Sequence, residues 1–505
     1  MRSSIHSSET SRNISRNRRC KHVIADFIRK VVGKLFPKQN LEKKLGIQIA
    51  TSGVMDNAIT IWLEMYENQA PWIGGKEDTK SMNLPASISE EFARLTLTEF
   101  KLSLEGSQRA EFLNEQLKMF LKHLTPIMEM WCALGGVAIK PYVSGSDPVT
   151  GKPDKIIIDV VDANRFYPTA FRDKDITGAV FIQTKRVGDY MYTRLEHHNL
   201  EDGGYRVINK AYSSERLNTM TTEDDQISAE HPFMQEISLD TVDEWAGLEP
   251  ETFIEGIDKP LFVYIKMPKG NNIDPHSPLG ASVYSRAVEA IQGADEQYTR
   301  IKWEYASKET AIDAADDLFD IDRDGKPKLP RGRERLYRTY DFEGKSTDGF
   351  FNVFSPEIRD TALYHGLQEQ LRHIEFLVGL AYGTISNPES VEKTATEIKT
   401  SKQRSYNTVS RMQEAWDDGL GTLIEIMGTL CDLYQIVPPG DIEKTCYWGD
   451  AILEDTDVEY QRRWSMVLAG KMKIEMFYAW YFGCTEEEAK KYLPEAEPQN
   501  YPPEE

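Results

Sequence analysis

Apolar residues recur at helical spacing through the first third of the chain. Met55, Ile59, Trp62, Leu63 and Tyr66 form one stripe, and further stripes run through 92–100 and 112–131, so residues 45–130 are predicted α-helical. The period then falls to two. Stretches 137–143, 155–161, 179–187, 190–198, 205–211 and 261–265 are rich in β-branched and aromatic residues. Turn sequences such as Ser144-Gly145-Ser146-Asp147 and Glu201-Asp202-Gly203-Gly204 separate them. This predicts an antiparallel meander set between helices, and hence an α+β fold.

Ser277 and Pro278 supply an N-cap and a first-turn proline for a helix predicted to run to Ser307. Its apolar positions, Val283, Ala287, Ile291, Ala294, Tyr298, Ile301 and Tyr305, make one narrow seam along about 45 Å of helix. A polar module, 308–355, is Asp-rich at first and Arg-rich later. A second long helix starts near Pro356, with Leu363, Leu367, Leu371, Ile374, Val378 and Ala381 on its seam. Two long helices around a small module predict a stalk with a cap. A loop poor in large apolar groups follows, and its Ser386, Asn387, Pro388 and Ser390 favour a mobile turn. Thr394 and Glu397 have capping-box spacing and open a helix extending to about Tyr434, with Val409, Met412, Trp416, Leu420, Leu423, Met427 and Leu430 as its buried face. Gly419, Gly421 and Gly428 weaken it by about 1 kcal/mol each, which predicts a bend near Gly419. Short helices, one opened by Thr485 with Glu488, and an acidic Pro-rich tail complete the chain.

At 505 residues the chain has room for roughly three domains of ~150 residues. Its formal charge of -21 argues against a protein that wraps nucleic acid by counterion release. The charge is uneven. Residues 1–44 hold twelve Lys/Arg and three acids, and the first twenty have few large apolar groups, so they are expected to form a flexible basic arm. Val23, Phe27, Val31 and Leu35 then space a short basic amphipathic helix, expected as a surface helix at the domain edge, the alternative being one that lies on a membrane surface or docks on an acidic partner. Five scattered cysteines indicate neither a disulfide framework nor a zinc site. No apolar run approaches the ~20 residues of a membrane span, and no apolar segment follows the basic N-terminus as in a secretory signal.

Individual motifs carry little chemistry. Asp320-Ile-Asp322-Arg-Asp324-Gly325 begins like a calcium loop, but Arg331 stands where a bidentate Glu is required and Pro327 and Pro330 obstruct the following helix. The wider group, Asp313, Asp316, Asp317, Asp320, Asp322 and Asp324, reads as a solvated acidic face. Gly145 to Lys152 has the wrong glycine spacing for a phosphate loop, and Pro153 replaces the magnesium-binding hydroxyl. Val137-Ala-Ile-Lys140 matches a kinase lysine strand without the remaining kinase motifs. Asp159 and Asp162 lack a third metal ligand, and His197-His198 is expected as an exposed pair at a strand end. The Trp and Tyr residues read as core. With no catalytic constellation, the chain is expected to be no enzyme, with no metal and no cofactor.

Several tracts, in order, resemble portal proteins of long-tailed bacteriophages, in particular the phage and prophage portals of Gram-positive hosts. Residues 55–72 (MDNAITIWLEMYENQAPW) resemble the N-terminal portal helix, and Gly135-Gly-Val-Ala-Ile-Lys140 with Ala163-Asn-Arg-Phe166-Tyr-Pro168 resembles the first wing strands. Residues 271–282 (NNIDPHSPLGAS) resemble the approach to the stem. Residues 319–330, 356–359 and 393–398 resemble the clip, the second stem helix and the segment after the tunnel loop. The tracts cover roughly 45–493.

The resemblance implies a basic arm at 1–44, a wing at 45–276, stem helices at 277–307 and 356–382, and a clip at 308–355. It further implies a tunnel loop at 383–393, a kinked long helix at 394–436, a C-terminal wing or crown at 437–493 and a disordered tail at 494–505. The crown is short, and the basic arm has no clear counterpart. Portals form rings, usually of twelve subunits, at one capsid vertex, and double-stranded DNA passes through the channel. The implied partners are other copies of the chain, DNA held weakly and without sequence preference, the terminase large subunit, a head-completion or adaptor protein, and major capsid and scaffolding proteins, with no membrane. The implied location is the virion, reached from the host cytoplasm during assembly. Asn387, Lys393 and Lys399 become candidates for DNA contact, and Lys326, Lys328, Arg331 and Arg333 for clip docking. Ile291, Tyr298, Leu367, Leu371 and Ile374 become the candidate seam between subunits. Two other classes fit the composition: a minor capsid or head protein, and a metal-dependent nuclease using Asp159 or the Asp313 to Asp324 group.

Overall fold

The computed structural model describes residues 38–74, 78–145, 153–173, 175–188, 190–214, 234–308, 311–315, 337–340, 351–355, 357–387, 395–449, 456–482 and 489–490. The elements begin with α1 (Lys38–Leu45), α2 (Gly53–Tyr66), α3 (Leu84–Leu97), β1 (Lys101–Glu105), α4 (Gln108–Lys122) and α5 (Leu124–Leu134). Strands β2 (Gly136–Ser144), β3 (Lys155–Asp162), β4 (Phe166–Arg172), β5 (Asp175–Val187), β6 (Tyr190–Glu201) and β7 (Gly204–Ser214) follow. Next come β8 (Met234–Ile237), β9 (Glu251–Glu255), β10 (Val263–Lys266), α6 (Val288–Ser307), β11 (Ala311–Ala315), β12 (Tyr337–Tyr340), β13 (Phe351–Phe354) and α7 (Asp360–Val378). The last are α8 (Ala395–Tyr434), β14 (Glu443–Tyr447), α9 (Thr456–Leu468) and α10 (Ile474–Phe482). The fold mixes helices and sheets, an α+β architecture.

The N-terminal helices differ from the expected continuous block in three places. Residues 38–44, assigned to the flexible arm, lie in α1, whose Leu41 is buried against Val180, Ile182 and Leu195 of the sheet. The stripe 112–131 is two helices, broken at His123, which ends α4 and precedes α5. Between α3 and α4 the chain forms β1, which pairs antiparallel with β14 near the other end of the chain. Only Leu104 of β1 is fully buried, so its local pattern carries no strand signal. The predicted arm and amphipathic helix at 1–37, the helix opened by Thr485, and the tail at 494–505 lie outside the described residues.

The expected single meander is two sheets. β4-β5-β6-β7-β8 is an antiparallel meander with β9 added on β7, whereas β2 lies between β10 and β3 in a separate sheet. Alternation along β5 explains the layering: Val180 and Ile182 face α1, while Ala179 and Phe181 face the main core. There Phe181 and Phe166 pack on Phe262, and Phe166 stacks on Tyr264 at 5.0 Å. Lys140 spans the layers to Glu196 (2.5 Å), which also meets Arg194 and His198 (2.8 Å each). Burial alone would raise the Glu196 carboxyl, but Lys140, His198 and Arg194 hold it well below the usual carboxylate range. The histidine pair is therefore not exposed at a strand end. Both rings are buried, His198 between Glu196 and the Tyr205 hydroxyl and His197 beside Thr169, and burial pushes His197 down to about 4.

Helix α8 runs unbroken for 40 residues, about 60 Å, and buries Val409, Met412, Trp416, Leu420, Leu423 and Met427. Gly419 marks its crossing with β10: an added Cβ would lie 2.5 Å from Ile265 Cδ1. Trp131 closes this junction, donating to the Ile265 carbonyl (2.9 Å) and packing edge-on against Trp416.

Two of the sequence tracts singled out above meet in space. Gly135 ends α5 at φ +80, and a Cβ there would lie 2.4 Å from the Ala281 carbonyl carbon. Across this contact Val283 N donates to the Cys132 carbonyl, and Met267 N to the Gly135 carbonyl. Asn271 shapes the approaching loop by accepting from Ile273 N and Asp274 N and donating to the Leu279 carbonyl. Consequently 277–287 is a run of buried turns, with Leu279, Val283 and Tyr284 in the core, and the predicted helix starts only at Val288. Helix α6 is about 30 Å long, not 45 Å.

Candidate functional site

Helices α6 and α7 form an antiparallel hairpin. Gln297 Nε2 donates to the Leu363 carbonyl, while Glu304, one turn or more further along α6, meets Arg359 ahead of α7. Ile291, Ala294 and Ile301 on α6 and Leu367, Leu371, Ile374 and Val378 on α7 are buried within the chain. These include four of the five residues expected at a subunit seam. The correction is physical: each narrow stripe is covered by the other helix of the same chain. Tyr298, the fifth, is half-buried with the Lys302 ammonium 4.7 Å from its ring centroid.

At the far end of the hairpin a buried carboxylate holds the two helices together. Glu304 accepts from Arg359 Nη2 (2.9 Å) and Nε (3.2 Å) and pairs with Lys308 (3.1 Å). The Arg359 hydrogen bonds hold its carboxyl down at about 2. Lys308 also donates to the Glu357 carbonyl, tying the end of α6 to the chain that enters α7. Beyond this clasp lies a small sheet of order β12-β11-β13. Its first and last strands, β11 and β13, are antiparallel, with Ala311 opposite Phe354, so the module leaves and rejoins the hairpin side by side. Lys326, Lys328, Arg331 and Arg333 lie outside the described residues.

At the near end Gly379 terminates α7 at φ +98. The Glu375 carboxylate, fully buried on the last turn of α7, then gathers the chain behind it. It accepts from Gly383 N (3.2 Å), Ile385 N (2.7 Å), Ser386 N (2.9 Å) and the Ser386 hydroxyl (2.9 Å). Residues 383–386 are therefore anchored, against the expectation of a mobile turn. Asn387 is exposed, and its N–H donates to Gln368 Oε1 (2.7 Å). Lys393 lies outside the described residues, and Lys399 is described only as backbone of α8.

Sequence reasoning missed Glu304, Arg359 and Glu375, because a charged residue on a helix reads as solvated until its partners are known. It also missed the exposed aromatic residues Trp303 (67% exposed), Tyr364 (46%) and, just beyond α7, Tyr382 (52%), while Tyr305, expected on the seam, is 42% exposed. A signal existed: Trp303 is a large apolar residue off the seam spacing. Among the described residues, no cluster of three His, Cys, Asp or Glu side chains is arranged to hold a metal ion, and no helix is long and apolar enough to cross a membrane. The acidic group beyond Asp313 and the phosphate-loop-like turn lie mostly outside the described residues.

No protein-family model matches the chain, and no curated protein does. Among solved structures it is similar to a chain of the "Neck of native GTA particle computed with C12 symmetry", with TM-score 0.39 and 11% identity over 91% of this chain and 99% of that one. A likeness at that level establishes neither fold nor function.

Proposed function

We propose that this chain is a portal-type subunit of a phage head, which assembles into a ring at one capsid vertex and conducts double-stranded DNA. The observation that carries the reading is the α6–α7 hairpin, closed on its own seam yet exposing Trp303, Tyr305 and Tyr364 on its flanks. Apolar groups in this number on a stalk mark a surface to be covered. Identical neighbours cover it if each hairpin packs against a different face of the next, and such head-to-tail contacts close into rings. The small sheet at the far end fits the clip, and the chain anchored by Glu375 fits the base of the tunnel loop. The ordered resemblance of the sequence tracts points the same way.

On this reading the protein performs no chemistry of its own. It forms a passage for a duplex driven by a separate motor, and its net charge of -21 keeps general affinity for the duplex low, because each Lys/Arg–phosphate contact adds a stopping point. Terminase and a head-completion protein would dock at the clip end, and capsid and scaffolding proteins on the wing.

The test is Trp303→Glu, a substitution at an exposed position that leaves the intrachain seam intact. Size-exclusion chromatography with light scattering should show a folded chain that no longer reaches the ring mass. Unchanged ring mass would remove the Trp303 side of the hairpin from the assembly surface.

A further inference from the structure

Behind the C-terminal end of α7, a cavity of about 600 Å³ opens between that helix, the 267–269 turn, Arg286 and the N-terminal half of α8. Its lining is unusual for a chain of net charge -21. Lys269, Arg286, Arg404 and Arg411 all line it, together with the amides of Gln403 and Asn407, and among the described residues no Asp or Glu does. None of these four cations makes an ion pair with a described carboxylate.

Their settings differ. Lys269 is structural, donating to the Val283 carbonyl (2.7 Å) and the Leu377 carbonyl (3.3 Å), where it caps the end of α7. Burial, with the neighbouring Arg286 cation, pushes its ammonium down to about 8, so positive charge is crowded here without relief. Arg404 is oriented by stacking on Phe376, with the guanidinium carbon 4.0 Å from the ring centroid, which leaves its N–H edge unused among the described residues. Arg411 stands seven residues, about 10.5 Å, further along the same face of α8. Both are on a rigid helix rather than on a loop.

We propose that this cavity binds phosphate groups, and that a nucleic-acid backbone supplies them. Planar guanidinium forks suit phosphate oxygens, and the amides add donors without selecting a base. The spacing favours a strand over a single anion. A strand carries one phosphate per ~3.4 Å of helix axis, so about three span the distance from Arg404 to Arg411, matching several cations where one carboxylate would neutralise only one. The site rests on the conduit reading only for the source of the phosphate.

The experiment uses the full chain and the double variant Arg404→Gln/Arg411→Gln, with Arg94→Gln on α3 and Lys118→Gln on α4 as the control. Fluorescence anisotropy with a labelled mixed-sequence duplex, across a salt series, should show affinity at least tenfold weaker in the site variant. The slope of log affinity against log salt should fall by about two, the control should match the parent, and Arg404→Lys/Arg411→Lys should recover most of the affinity. Unaltered melting would show that the fold is intact. Affinity and slope unchanged in the site variant, or an equal loss in the control, would overturn the proposal. Inorganic phosphate, followed by its ³¹P line width, separates the sources: a variant that loses phosphate binding but keeps duplex binding contradicts the nucleic-acid source. Loss of oligomer mass with unchanged duplex affinity would make the cavity a contact between copies and overturn the site. If the parent chain forms no ring but loses duplex affinity on substitution, the site stands and the conduit reading fails.

Discussion

Glu304 and Glu375 sit at opposite ends of the same hairpin and solve the same problem differently. Each is a buried carboxylate, and each is held by hydrogen bonds, Glu304 from cationic side chains and Glu375 from backbone N–H groups and one hydroxyl. For Glu304 the folded carboxyl titrates at about 2 instead of 4.5, so its stabilisation is present in full above about 4.5 and is lost as pH falls towards 2. Trp303 fluorescence should report loosening of the hairpin end across that window, and Glu304→Gln should remove the dependence. For Glu375 the substitution Glu375→Gln replaces one acceptor oxygen by a donor facing donors, at a cost of about 1–3 kcal/mol. Amide exchange at Gly383, Ile385 and Ser386 should then quicken roughly tenfold or more, while α8 amides keep their protection. Unchanged exchange at those three amides would show that the carboxylate does not anchor the loop. Deletion of Ser386 to Ser390 would remove part of this anchor, so it perturbs the base of the loop as well as its tip.

Helices with strong stripes were legible in the sequence, and their partners were not. The seam of Leu367, Leu371 and Ile374 was correctly read as buried, but periodicity says that a face is covered without saying by which chain. Leu367→Asp is accordingly expected to break the hairpin, since an unpaired buried carboxylate costs several kcal/mol, and circular dichroism should record lost helix before any change in assembly is measurable. A fully helical monomer from this variant would return the seam to the subunit interface. Strand β1 escaped notice because its pairing partner is β14, hundreds of residues away, and only one of its side chains is buried. The helix start at 277 failed for a related reason: the Ser-Pro signal is local, whereas Gly135, Gly280 and Asn271 hold that segment in buried turns through contacts across the core. Gly419 looked like a weak point of α8 and is a close crossing with Ile265, which no single-helix pattern reveals.

At the scale of the whole molecule, the sheet-rich part and the hairpin are joined where α5, β2, β10 and the start of α6 converge, with α8 crossing behind them. A body of this kind, with exposed aromatic residues on its hairpin, a small sheet beyond it and a basic cavity behind it, suits repetition around an axis. Composition had limited the options by excluding a highly basic DNA-wrapping protein, but the proposed assembly surface could be named only once the seam was assigned within the chain. The most direct measurement is electron microscopy of the purified full-length protein, with light scattering on the same sample. The account predicts closed rings with an axial hole, hairpins lining it, and a mass near twelve times that of the chain. A stable monomer across the concentration range, or a shell fragment or lattice without a central hole, would contradict it.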